Sequence, residues 1–341
     1  MRHQKKRWFA ALLSLCMLLS ILPSTSIAFS ESEETWSGNR RKQTIDGGTH
    51  TITLSNLTID SPGVEKSAID ITGNADVTFI LEGNNTLRGY RNHPAIWVES
   101  GSSVTFEGNG LLEASAGGAS IGLGAAGIGG GYGASSNFGN ITINGGTIIA
   151  RGSGGGAGIG GGYEVGSGTV TGNVTINGGY VTAIGGSSGS TGGAGIGSGE
   201  NANYSGTVTI NGGVVYAEGG ADSTSIGRGN RAIGTSDNGA FTTGTGGNAV
   251  IVAPDGIGDP SGFADWDGIF ISYEGNNTSA TVGEDGTVHL NDTEANIQVW
   301  GEPVIDYPLV VESGTELRVV QNDRNYAYAT LEIGQDGKLT N

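Results

Sequence analysis

Apolar and polar residues alternate one by one along much of this chain, and the alternation recurs in blocks. Gly139–Ala150 reads GNITINGGTIIA, Gly172–Ala183 reads GNVTINGGYVTA, and Gly206–Ala217 reads GTVTINGGVVYA. Within the first block Ile141 and Ile143 alternate with Thr142 and Asn144. A period of two predicts a strand with one face in and one face out. The NGG turn then leads into a second short strand. The central isoleucine recurs at Ile143, Ile176 and Ile210, a period of about 33 residues. Looser copies precede these blocks: TITLSNLTID from Thr51, VTFILEGNNTLRG from Val77 and SVTFEGNGLLEA from Ser103.

A second motif shares the period. AAGIGGGY spans Ala125–Tyr132, GAGIGGGY spans Gly156–Tyr163, GAGIGSG spans Gly193–Gly199 and TSIGRG spans Thr224–Gly229. Ser67–Gly73 (SAIDITG) and Pro94–Gly101 (PAIWVESG) hold the same place with less glycine. The stretch Gly156–Gly161 satisfies G-x-G-x-x-G, the pattern of a dinucleotide loop. Such a loop must follow one strand and open one helix. Here the pattern repeats, and the residues after each copy are glycine-rich with no helical apolar period, which excludes nucleotide binding. The glycines are read as turns and thin walls.

Three short strands per repeat, each coil burying its Ile and Val on the next, predict an all-β right-handed parallel β-helix of about six or seven coils. The expected organisation is a signal peptide at 1–28, a flexible segment at 29–43, the β-helix at 44–234, and irregular β structure at 235–341, either extra coils or a small β domain. Asn144, Asn177 and Asn211 share one repeat position and are expected to stack as a hydrogen-bonded ladder.

Composition agrees with this reading. Of 341 residues 66 are glycine and only 7 proline, which excludes collagen and proline-rich linkers. Arg2, Lys5, Lys6 and Arg7 precede an apolar stretch from Trp8 to about Leu22, and Ser26-Ile27-Ala28 offers a cleavage site. Cleavage after Ala28 is expected, with a secreted or cell-wall location and no membrane insertion afterwards. It removes Cys16, the only cysteine, and shifts the formal charge from −17 to −21. So acidic a surface argues against nucleic acid and anionic lipid as partners.

Candidate chemistry is sparse. A lyase of this fold needs carboxylates around Ca2+ and a basic proton acceptor, and a hydrolase needs carboxylates within reach of each other. Asp60, Asp70 and Asp76 are close enough in sequence to raise the question, with Arg151, Arg228 and Arg231 as loop bases. His50, His93 and His289 lack metal-ligand spacing. Asp255, Asp259, Asp265 and Asp267 form the densest acidic run and are candidate Ca2+ ligands, although their spacing is not that of an EF-hand loop. Sugar rings stack on exposed aromatic faces, which makes Tyr90, Trp97, Tyr132, Tyr163, Tyr180 and Tyr216 candidate carbohydrate contacts. Tyr132 and Tyr163 should lie one coil apart on one edge, and Tyr180 and Tyr216 share the outward parity of Thr142. The plainer alternative is that these rings cover glycine-rich backbone. Thr142, Thr175 and Thr209 form an outward column, but one regular threonine per coil falls short of the flat arrays of ice-binding solenoids.

The alternation of AGIGGGYG and NITINGGT, preceded by FILEGNNTLRG and HPAIWVESGSSVTFEGNGLLEASA, resembles secreted or wall-attached bacterial proteins termed carbohydrate-binding-domain-containing. Their architecture is similar to pectate-lyase-like β-helices. The resemblance covers roughly residues 44–234 and implies binding of polysaccharide or cell-wall glycan. A β-helix lyase or glycoside hydrolase, and a structural surface spacer, are the alternatives.

Overall fold

A computed structural model describes residues 34–60, 66–118, 123–133, 136–164, 168–230, 238–242 and 249–258, and short strands between 268 and 340. The chain is all-β, and its strands stack in parallel as a right-handed β-solenoid. Each glycine-rich coil contributes three strands, as in Asn140–Ile143, Thr147–Arg151 and Ile159–Gly160. The first two belong to one large sheet bent into two facets, and the third to a separate seven-stranded sheet, called the third sheet because it forms the third face of the coil.

Stacking is in register. Ile52, Phe79, Phe106, Ile143, Ile176 and Ile210 lie over one another, each at most 2 % exposed. The other facet adds Ala114, Ala150, Ala183 and Ala217. The seven-stranded sheet adds Ile69, Ile96, Ile128, Ile159, Ile196 and Ile226. Every one of these side chains is buried. Large side chains on one facet face small ones on the next, which fills the narrow interior. Phe79 and Phe106 touch at 5.9 Å between centroids.

Two differences from expectation concern the ends and the period. Part of the segment expected to be flexible already belongs to the helix: Glu34–Asn39 and Gln43–Asp46 are strands of the first coil. Trp36 closes the core there, 4 % exposed and 6.2 Å from Phe79. One inward aromatic in an otherwise polar stretch leaves no periodic signal. The coil length is also not uniform. Asp76 bonds Ser103 27 residues on, whereas Asn140 bonds Asn173 33 residues on. The early coils lack the glycine-rich loops, which is why their sequences align less well.

The G-x-G repeat has a steric cause. Gly129, Gly160, Gly197 and Gly227 pair coil to coil, at φ of 126°, 136°, 137° and 129°. A Cβ on Gly197 would sit 1.8 Å from Gly227 O, and one on Gly160 1.9 Å from Gly197 O. Only glycine fits the conformation and the approach. Beyond the last glycine coil, Gly268–Tyr273 still joins Ala249–Val252 in parallel. It then pairs antiparallel with Ala295–Trp300, which interrupts the run of parallel coils, and Ala295–Trp300 pairs in parallel again with Leu317–Gln321.

Gly197→Ala is therefore expected to destabilise the fold by on the order of 3 kcal/mol, read from urea unfolding. Gly118→Ala, with open space around its Cα, should leave the midpoint within about 0.5 kcal/mol.

Candidate functional site

The outer face of the first facet is the most regular surface of the molecule. Thr51, Thr78, Thr105, Thr142, Thr175, Thr209 and Thr242 occupy one column, coil after coil. Those from Thr51 to Thr209 are half-buried, as expected when each lies against the threonine above and below. Sequence reading placed three residues in this column. The other four were present as TIT, VTF, VTF and FTT, and only the coil register joins them.

Polar side chains flank the column on both sides. On one side Asn144 Nδ2 donates to Glu107 Oε1 at 3.0 Å, Asn177 Nδ2 to Asn144 Oδ1 at 2.8 Å and Asn211 Nδ2 to Asn177 Oδ1 at 2.7 Å. This is the expected amide ladder. On the other side is a second ladder that sequence reading missed. Ser103 donates to Asp76, Asn173 Nδ2 donates to Asn140 Oδ1 at 3.0 Å, and Thr207 N donates to Asn173 Oδ1 at 3.0 Å. Its signal was the residue before each VTI core. Asn140, Thr142 and Asn144, then Asn173, Thr175 and Asn177, then Thr207, Thr209 and Asn211 form a grid of three by three uncharged polar side chains. Rows are about 4.8 Å apart, and columns about 6.6 Å apart along the strand. Asp76 and Glu107 bring charge only in earlier coils.

The aromatic candidates do not assemble into one surface. Tyr132 and Tyr163 stack as expected, 5.8 Å apart and 24° from parallel. Both are half-buried, and Asn201 Nδ2 donates to Tyr163 Oη at 2.8 Å. Tyr163 and Glu200 crowd the backbone at Gly155, so this ring covers glycine, in line with the plainer alternative. Tyr180 sits half-buried on the second facet between Thr147 and Val214. Tyr216 shares its outward parity but is only 6 % exposed, a correction to the expectation that it projects into solvent. Its hydroxyl donates to Glu218 Oε2 at 2.8 Å, and the strand Ala280–Val282 lies near the strand Val214–Glu218. Trp97 lies half-buried on the third sheet between Asp70 and Gly129. Tyr90 is half-buried with the Arg91 guanidinium 5.5 Å above its ring.

The carboxylate candidates are dispersed as well. Asp60 ends a strand of the second facet, paired with Arg88. Asp70 is on the third sheet in an ion pair with Lys42. Asp76 is on the first facet, bonded to Ser103. Three residues of adjoining coils thus face three directions. Arg151 projects from the second facet between Ser115 and Ile184. Arg228 lies in the turn after Ile226–Gly227, and Arg231 is outside the described residues. His50 Nε2 bonds Gly47 O at 2.8 Å, and His93 lies in the turn after Tyr90. His289 falls in the strand Val288–Leu290. Among the described residues no group of three or more His, Cys, Asp or Glu comes together.

Of the candidate Ca2+ ligands, Asp259, Asp265 and Asp267 lie outside the described residues. Asp255 Oδ2 accepts from Gly219 N at 2.9 Å and contacts Ser225 Oγ at 3.4 Å, so it brackets two coils. Burial raises its carboxyl above the ordinary 3.8, aided by Glu218 and opposed by the bonds from Gly219 and Ser225. Burial likewise pushes the Tyr204 phenol well up; its hydroxyl donates to Gly172 O at 2.9 Å.

No protein-family model, no curated protein and no solved structure matches the chain.

The ladder and the Asp255 carboxyl can each be tested by stability. Asn177→Ala leaves Asn144 Oδ1 without its donor and Asn211 Nδ2 without its acceptor, and should cost about 1–2 kcal/mol in urea unfolding. For Asp255 the folded-state pKa is the higher one, so its contribution is most favourable below the ordinary value and is lost as pH rises to the raised one. Across that window the unaltered protein should lose stability relative to Asp255→Asn, measured as the difference in urea midpoint at each pH.

Proposed function

We propose that the protein is secreted or held at the cell surface and is a non-catalytic solenoid that binds neutral polysaccharide along its threonine face. The observation that carries this reading is the three-by-three grid. A solvent-facing sheet normally mixes lysine and glutamate into its outer positions, and this chain has a formal charge of −17. An uncharged block of nine hydroxyl and amide groups within such a chain suits a ligand that is itself uncharged and covered in hydroxyls.

Preorganisation supports the same reading. Threonine is stiff at χ1, and the flanking amides are already locked to one another, so little side-chain freedom remains to be lost on binding. An amide has two N–H groups and two acceptor lone pairs. Asn177 uses one of each within its ladder, which leaves one of each for a sugar hydroxyl. A chain laid across the strands meets the same group at every coil, about 4.8 Å apart, close to the advance of one pyranose unit in an extended glycan. The net negative charge of the chain disfavours uronate-rich polymers.

The test is affinity electrophoresis through pectin, xylan, soluble cellulose derivatives and starch, with released reducing and unsaturated ends assayed in the same mixtures. Retardation by a neutral glycan without released ends is expected. Thr175→Lys, at the centre of the grid, should weaken it about tenfold, or about 1.4 kcal/mol, at an unchanged unfolding midpoint. Released ends would make the protein a lyase or hydrolase, and no retardation on any glycan would favour a spacer.

A further inference from the structure

We propose that the amide ladder is also a modification site: its three Asn-Gly pairs deamidate in a fixed order, Asn211 first, then Asn177, then Asn144. Each ladder asparagine is followed by glycine, at Gly145, Gly178 and Gly212, and glycine has no Cβ to obstruct ring closure on the preceding side chain.

The chemistry needs only water. The glycine nitrogen, having given its proton to hydroxide, attacks Cγ of the asparagine. A Cγ–N bond forms, the Cγ–Nδ2 bond breaks, and Nδ2 departs as ammonia with a proton from water. Water then opens the five-membered imide at one of its two carbonyls, leaving aspartate or isoaspartate.

The ladder sets the order, because an asparagine must leave it before its Cγ can turn back onto its own chain. Asn177 must break two bonds, its donation to Asn144 Oδ1 and its acceptance from Asn211 Nδ2. Asn144 must also break two, and one of these reaches the Glu107 carboxylate, a stronger charge-assisted bond. Asn211 breaks one: its Nδ2 is bonded to Asn177, while its Oδ1 is buried with no donor. The first conversion then loosens the next residue. Aspartate at 211 carries no N–H, so it meets Asn177 Oδ1 acceptor against acceptor, and Asn177 is left with a single bond. The Asn-Gly pairs at 109 and 238 lie outside the ladder and are not ordered by it. Each conversion also adds a negative charge beside the threonine column. The resulting stepwise loss of glycan affinity rests on the function proposed above, whereas the order of the chemistry does not.

The experiment is incubation of the full-length protein in 18O-water at mildly alkaline pH, followed by tryptic digestion and mass spectrometry. No lysine or arginine lies between Arg151 and Arg228, so one peptide carries both Asn177 and Asn211 and reports whether the two labels occur together. Singly labelled peptide is expected to carry its label at Asn211 about five times as often as at Asn177, and label at Asn177 to accumulate faster in peptide already labelled at Asn211. Asn211→Asp should speed labelling at Asn177 about fivefold, the effect of losing one modest hydrogen bond. Label appearing first at Asn177 or Asn144, equal rates at all three, or no acceleration in Asn211→Asp would overturn the proposal. Glycan retardation measured on the same samples separates the two ideas, since its absence leaves the labelling order unaffected.

Discussion

Everything in this molecule depends on the register between coils. A parallel strand satisfies its backbone only by lying on the next one, and a single coil has too little apolar surface to stand alone. Once register is fixed, each residue's principal neighbour is its counterpart one coil away. Phenylalanine meets phenylalanine at 79 and 106, asparagine meets asparagine at 144 and 177, and tyrosine meets tyrosine at 132 and 163. Like-on-like stacking suits side chains that are self-complementary. An amide both donates and accepts, so it can form an unbroken ladder, whereas a column of like charges would repel. The neutrality of the grid thus has a structural root as well as the functional use proposed for it.

The same constraint accounts for the glycine. In the third sheet, adjacent coils approach so closely that a Cβ would meet the carbonyl of the next coil. A motif that matches a phosphate loop by spelling is here the wall of a stack. Spacing alone cannot separate the two, whereas the element after the motif can: among the described residues no helix succeeds Gly160.

Much of this was legible in the sequence, for physical reasons. Inward isoleucines at 141, 143 and 176 follow from period-two alternation, and the ladder at 144, 177 and 211 follows from the repeat. The features that escaped needed contacts that no local pattern encodes. Trp36 is the one inward aromatic of a polar stretch. Tyr216 has the parity of an exposed residue, but Val214 on the same strand is buried too, so the outer face itself is covered there. Asp60, Asp70 and Asp76 looked like a cluster because sequence distance ignores the corners of a coil: ten residues are enough to turn from one face to another. The threonine column was undercounted because the early coils are shorter, which hides Thr51, Thr78 and Thr105, and because Thr242 follows the last glycine-rich repeat and lacks its NGG turn.

The central claim, that ligand lies on the threonine face, is tested most directly by footprinting. Cys16 is the only cysteine, so in a Cys16→Ser background single thiols can be placed at Thr142 on the first facet and at Thr182 on the second, both half-buried in the native protein. The rate of alkylation is then measured with and without a saturating neutral oligosaccharide. Protection at position 142 and an unchanged rate at 182 are expected. Equal rates at 142 with and without ligand, or protection at 182 instead, would contradict it.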